Sequence, residues 1–364
     1  MAYSTIDNPA SFFNTVLYTG DLQDSDGTGH TQSITGVGFQ PDWVWHKGRS
    51  GSRTHLLVDR VRGVSSYNWI ASNSSGAELT TNTNGAISSI DSDGITVQNG
   101  NDSSSKSNNA GKNGETWVFW NWLAGGSTSS NGNGSITSTV SANTTAGFSI
   151  VSYAGTGSAA TVGHGLGAVP KMIIIKNRSS AESWRVYHNA LGATKEMYLD
   201  LSDAAGTSSS SFNNTEPTSS VFSVGTGNGT NKSSDNLIAY CFAEKKGYSK
   251  FGVYTGQGGS GGQYPFIYTG FRPAWIMIKR SDSSQDWRMF DAVRDPFNSV
   301  ENQLKANATT NESAGTDFLD FVSNGFKILV STSSINADGG NYTYMCFAEN
   351  PFVTAGTKAA GTAR

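Results

Sequence analysis

The chain has 364 residues, with 25 Lys+Arg against 28 Asp+Glu and a formal net charge of -3. No basic run tracks a phosphate backbone and no apolar run approaches membrane-spanning length, so neither nucleic acid nor a membrane is an expected partner. Charged residues are only 15% while Gly reaches 43, a strand-and-turn composition in which no long stretch holds a helical apolar period.

In chain order, the opening "MAYSTIDNPASFF" has neither a basic head nor a long apolar core, so no Sec signal peptide is expected and synthesis in a cytoplasm is. A short strand and turn, "VLYTG" (16–20), precedes Pro41, which starts the apolar strand "WVWHK" ending at Lys47. His55, Asp59 and Arg62 follow at 8, 12 and 15 residues beyond that Lys, and "WVFWNWLAG" (117–125) closes the unit. The pattern then recurs twice. "VSYAG" (151–155) precedes Pro170, Lys176, Trp184, His188 and Leu191, closing on "LIAYCFAEK" (237–245). "GVYTG" (252–256) precedes Pro273, Lys279, Trp287, Asp291 and Arg294, closing on "YTYMCFAEN" (342–350).

A self-similar unit the length of a small domain, built of short strands between Gly/Asn/Asp turns, predicts an all-β chain of three tandem homologous β-sandwich or jelly-roll-like domains. The expected boundaries are 1–126, 127–247 and 248–352, with 353–364 as a C-terminal tail. The Pro suits the start of a strand, and the nearly continuous apolar runs after it should be covered on both faces. Each terminal Lys is expected to reach solvent over a packed stem. "LAGGSTSSNGNGS" (123–135) reads as a flexible linker. The first copy is therefore expected to be freer than the second and third, which are joined by a shorter connection.

Chemistry is sparse. The paired Asp59/Arg62 and Asp291/Arg294 read as structural ion pairs, since the second copy replaces them with His188 and Leu191. The five His form neither H-x-H nor H-E-x-x-H, no nucleophile elbow is present, and no carboxylate pair is singled out. The acidic turns "DLQDSDG" and "DSDG" lack the full EF-hand spacing and read as turns. No catalytic residue, metal or cofactor is expected. Cys241 and Cys346 occupy the same place in a repeated strand and read as buried free thiols. Most tryptophans belong to predicted strands and read as core. Trp69, in the more polar "SSYNWIASN", is the one candidate for stacking on a sugar ring.

The blocks "GFQPDWVWHKGRS", "TAGFSIVSYAGTG", "YCFAEKKGYSKFG", "YTGFRPAWIMIKR" and "CFAENPF" resemble an uncharacterised repeat family of virion proteins of marine, cyanophage-type bacteriophages, labelled as tail fibre or virion structural proteins. The resemblance runs from about Tyr3 to Phe352, with a looser ending after it. It implies a particle component and supplies no ligand. The repeat and the Ser/Thr/Asn-rich composition add the expectation of a non-enzymatic tail fibre or spike, released by lysis, that contacts host surface polysaccharide through weak multivalent sites. Other virion proteins would be its partners, and a homo-oligomer, as in a trimeric fibre, would be its assembly. A capsid decoration or head-fibre protein, and a glycan depolymerase, are the alternatives.

Overall fold

The computed structural model describes residue 4 and residues 6–64, 67–259 and 262–352; the tail expected at 353–364 lies outside the described residues. The chain is all-β and antiparallel in its named sheets. Its first third contributes β1 (Phe13–Thr19), β2 (Thr31–Thr35), β3 (Trp43–Gly48), β4 (Leu56–Asp59), β5 (Ala86–Asp91), β6 (Gly94–Gln98) and β7 (Thr116–Trp122). The middle gives β8 (Ser129–Asn131), β9 (Ser138–Asn143), β10 (Phe148–Ala154), β11 (Ala160–Gly163), β12 (Met172–Asn177), β13 (Arg185–His188), β14 (Lys195–Glu196), β15 (Gly206–Thr207), β16 (Val221–Val224) and β17 (Asn236–Phe242). The last third gives β18 (Ser249–Thr255), β19 (Phe266–Tyr268), β20 (Phe271–Arg280), β21 (Arg288–Asp291), β22 (Leu304–Lys305), β23 (Leu319–Val322), β24 (Gly325–Ile328) and β25 (Asn341–Pro351).

Three larger sheets contain the runs β1-β7-β3-β4, β10-β17-β12-β13 and β18-β25-β20-β21. Each has the same order: the opening strand, the closing strand, the Pro-led strand, then the strand that follows it. Smaller sheets β2-β6-β5, β11-β16 and β19-β24-β23 accompany them. All residues of β3, β4 and β12 are buried, as continuous apolar runs require when both faces are covered. Pro41 and Pro170 lie just ahead of their strands, whereas Pro273 falls inside β20, where the register with β25 slips on both sides of it. A bulge accommodates the missing N–H.

One face of each large sheet packs on a local core. Val44, Leu56 and Phe119 belong to the first, Val151, Ile175 and Ala239 to the second, and Ile276, Phe326 and Tyr344 to the third. The opposite faces meet in one shared core. Trp43, Trp45 and Trp122 pack there with Ile174, Trp184 and Tyr240 and with Trp275, Met277 and Phe347. Ring centroids are 4.4 Å apart for Trp43–Tyr240 and 5.7 Å for Trp122–Trp275. The alternation of side chains across a strand explains both cores, since i and i+2 share a face: Trp43 and Trp45 turn inward to the common core, Val44 outward to the local one. The indole N–H groups of Trp43, Trp122 and Trp275 have no oxygen or nitrogen partner. Their rings pack against other aromatic rings, whose faces can accept weak N–H contacts.

The shared core corrects the expectation that the first copy is freer than the second and third. The segment expected as a free linker is built into the fold. Asp42, buried, accepts the Ala124 and Gly126 N–H groups at 2.7 and 3.1 Å, Ser141 Oγ accepts the Gly125 N–H at 3.0 Å, and residues 129–131 pair with β9. Composition favoured flexibility, but partners distant in sequence supplied the hydrogen bonds.

Candidate functional site

The residues that the repeat singles out converge where the three segments meet. Each terminal Lys is fully buried, against the expectation that it reaches solvent. Lys47 Nζ donates to Arg53 O at 2.6 Å and to Thr309 O at 2.9 Å. Lys176 Nζ donates to Glu182 O at 2.6 Å and to Ser75 O at 2.9 Å. Lys279 Nζ donates to Arg280 O at 2.7 Å and to Ser202 O at 3.1 Å. In each case one acceptor is local and the other belongs to another segment. The first segment reaches the third, the second reaches the first, and the third reaches the second. Buried ammonium groups are tolerated because carbonyl oxygens replace water around them. Burial pushes Lys47 down to about 7, helped by the nearby Arg53 charge, and pushes Lys176 and Lys279 down to about 8.

The position eight residues on repeats the circuit. Trp184 Nε1 donates to Ala71 O at 2.9 Å and Trp287 Nε1 to Tyr198 O at 2.8 Å. His55 stands in for the third Trp: its Nε2 donates to Lys305 O at 3.0 Å while its Nδ1 accepts from Trp45 Nε1 at 2.8 Å. Those bonds specify the neutral Nε2–H tautomer, and burial holds the His55 pKa well below its ordinary value.

At the twelfth position the three segments touch again. Asp59 Oδ2 accepts from Tyr240 Oη at 2.8 Å, and Asp291 Oδ2 from Trp120 Nε1 at 3.1 Å. His188 Nε2 donates to Tyr344 O at 3.3 Å, and burial lowers its pKa to about 4. Asp59 and Asp291 are each paired with an Arg three residues on, at 2.5 Å, with all four side chains wholly buried. The carboxylates are thus engaged by fixed donors, the arrangement of structural ion pairs.

Sequence reasoning missed the second half of these networks. Glu78 bridges Arg62 and Arg178 of the next segment at 2.7 Å each. Glu312 bridges Arg294 and Arg49 at 2.8 Å each. At the corresponding backbone contact between the third and second segments stand Ser281 and Ala205, joined only through Ala205 N to Ser281 O at 2.8 Å. Where His188 and Leu191 replace Asp and Arg, the Glu and the partner Arg are gone too. At this contact two junctions are ionic and one is neutral. The signal was present in the sequence as Arg two residues after Lys47 and Lys176 but Ser after Lys279; nothing in the sequence linked it to Glu78 or Glu312.

Trp69 is brought into the first local core at 7% exposure, bridged to Leu79. It borders two hollows. One, of about 430 Å³, includes Thr54, Asn73 and Glu78 in its walls; the other, of about 250 Å³, includes Thr81, Asn84 and Asn109. Its Nε1 is buried without a partner, and at 7% exposure little of the ring surface is open. Among the described residues the exposed aromatic side chains lie elsewhere: Phe266, Tyr268, Phe297 and Phe352 at 50%, 54%, 72% and 37%. Cys241 and Cys346 are free and buried, and burial raises both thiol pKa values. In the acidic turns, Asp24 Oδ1 accepts from Ser107 N and Oγ, and the Asp93 carboxylate accepts from Gly36 N and Gly38 N. No group of three or more His, Cys, Asp or Glu capable of holding a metal occurs among the described residues. None of their helices is long and apolar enough to cross a membrane.

Residues 8–351 match the family described as a domain of unknown function, DUF7483, and the chain belongs to that family. No curated protein and no solved structure matches it.

Proposed function

We propose that the chain is a bacteriophage virion structural protein made of three homologous sandwich-like units. In this reading it is a tail-fibre or spike component that touches host surface polysaccharide, with other virion proteins as partners. The sequence blocks given above support the phage context. The observation that carries the structural role is the closed circuit of Lys47, Lys176 and Lys279, each bonded into another segment. A heterologous contact that closes after three steps makes a finite ring, here within a single chain. Such a body keeps its shape without a partner and suits a part exposed outside a particle. No step of chemistry is assigned to it: the repeated Asp and Lys groups are engaged in cohesion.

The same closure favours a second reading, a capsid decoration or head-fibre protein, because a body with threefold-like order suits a lattice position of that symmetry. Gold-labelled antibody on intact particles separates the two. Label on the tail or its fibres supports host recognition, label over the head supports decoration, and absence of label from purified particles overturns both.

A further inference from the structure

Strand β19 lies at the edge of the small sheet of the third segment, bonded on one side to β24. Its burial alternates. Ile267 turns into the local core at 7% exposure, while Phe266 and Tyr268 stand out at 50% and 54%. Residues i and i+2 of a strand share a face and lie about 7 Å apart, so the two rings form an aromatic strip facing solvent. The fold does not require it. The strands bonded in the same way in the other segments, β2 and β11, read "TQSIT" and "ATVG", with no aromatic residue.

Beside Tyr268 is a pocket of about 360 Å³ whose walls include Glu244, Ser249, Lys250, Tyr268 and Thr269. Lys250 Nζ donates to Glu244 Oε1 at 2.9 Å, with both side chains partly open to water. The Phe251 N–H holds the other carboxylate oxygen at 3.4 Å. Ser249 Oγ, at the buried floor of the pocket, accepts the Lys245 N–H at 3.0 Å. An aromatic ring beside a fixed acceptor and a cation matches a ligand with one apolar face and several hydroxyl groups.

We propose that the pocket beside Tyr268, continued by the Phe266–Tyr268 strip, binds a pyranose ring of a polysaccharide. The C–H face of the sugar lies on an aromatic ring, while its hydroxyl groups donate to Glu244 and accept from Lys250. An apolar protein surface would desolvate the Glu244–Lys250 pair without replacing its hydrogen bonds. A nucleic acid strand would meet the Glu244 carboxylate on a chain of net charge -3. The site rests on the host-glycan part of the proposed function and moves it from Trp69 to the third segment.

The test is retention of the full chain on an array of bacterial surface polysaccharides, comparing wild type with Tyr268→Ala, Glu244→Gln and Trp69→Phe, each checked for an unchanged melting curve. Tyr268 is on the surface, so its replacement should leave the fold intact. The expected result is binding to at least one polysaccharide, about tenfold weaker in Tyr268→Ala, weaker in Glu244→Gln and unchanged in Trp69→Phe. Undiminished binding by both Tyr268→Ala and Glu244→Gln overturns this site and leaves glycan recognition standing. Absence of binding by the wild type to every polysaccharide overturns both.

Discussion

Arg49 and Glu312, 263 residues apart, form a two-pronged ion pair, Nε to Oε2 at 3.0 Å and Nη2 to Oε1 at 2.8 Å. The pair joins the first and last thirds of the chain, and Arg294 Nη1 reaches the same carboxylate at 2.8 Å. Two guanidinium groups therefore depend on one side chain.

Replacing Glu312 with Gln should destabilise the protein by about 2–3 kcal/mol, because charge-assisted bonds are lost and two cations, Arg294 wholly and Arg49 mostly buried, are left underpaired. Urea titration at neutral pH measures it. The pH dependence follows from the same contacts. Burial alone would raise the Glu312 pKa, but the hydrogen bond from Arg49 and the Arg294 charge outweigh it and hold it below the ordinary 4.5. The folded state thus binds fewer protons than the unfolded one near that pH. This contribution is present above about 4.5 and is lost as pH falls through the lower folded value. Glu312→Gln should flatten that part of the acid profile; an unchanged profile would count against the clasp.

The buried lysines give a slope of the same sign, in a more alkaline window. Their folded pKa values, about 7 for Lys47 and about 8 for Lys176 and Lys279, lie below the ordinary 10.5. Between those values the unfolded chain binds more protons, so this contribution makes stability rise with pH from about 7 toward 10.5. Lys279→Met should remove its share of the rise and leave the carbonyls of Ser202 and Arg280 without this donor. Melting temperatures measured from pH 7 to pH 9 on both proteins test the claim.

A shared core should make unfolding one event. Calorimetry is expected to give a single transition with equal calorimetric and van't Hoff enthalpies. Trp275→Ala, at the contact of Trp122 and Phe347, should lower the whole transition by about 3–5 kcal/mol. Two or three resolved transitions would mean that the local cores are independent.

Excised residues 127–247 should not hold a fixed fold. Phe148, Ile174, Trp184, Tyr240 and Phe242 all face the common core, and alone they would be uncovered. Strong binding of a hydrophobic dye and loss of near-ultraviolet dichroism are expected; a dispersed proton spectrum with sharp methyl signals would refute this.

Both thiols should resist an aromatic disulfide reagent in the native protein and react after unfolding. Cys241 and Cys346 are wholly buried, and burial disfavours the reactive thiolate.

The amino-acid sequence by itself determined the β class, the three-fold recurrence, the core role of most tryptophans and the free state of both cysteines. Those features are local. Alternating apolar residues, turn glycines and a repeated spacing carry their meaning within a few residues. Tertiary structure decided what the recurrence is for. Whether Lys47 ends in water or against Thr309 O depends on a segment some 260 residues away, and no spacing records that distance. Whether "LAGGSTSSNGNGS" is a linker or part of the fold depends on Asp42, Ser141 and β9 supplying partners. Whether Trp69 is a platform or a core residue depends on what packs over it. A strand has two faces, and the sequence shows that both are apolar; only the folded chain shows that one face of each large sheet is shared by all three segments.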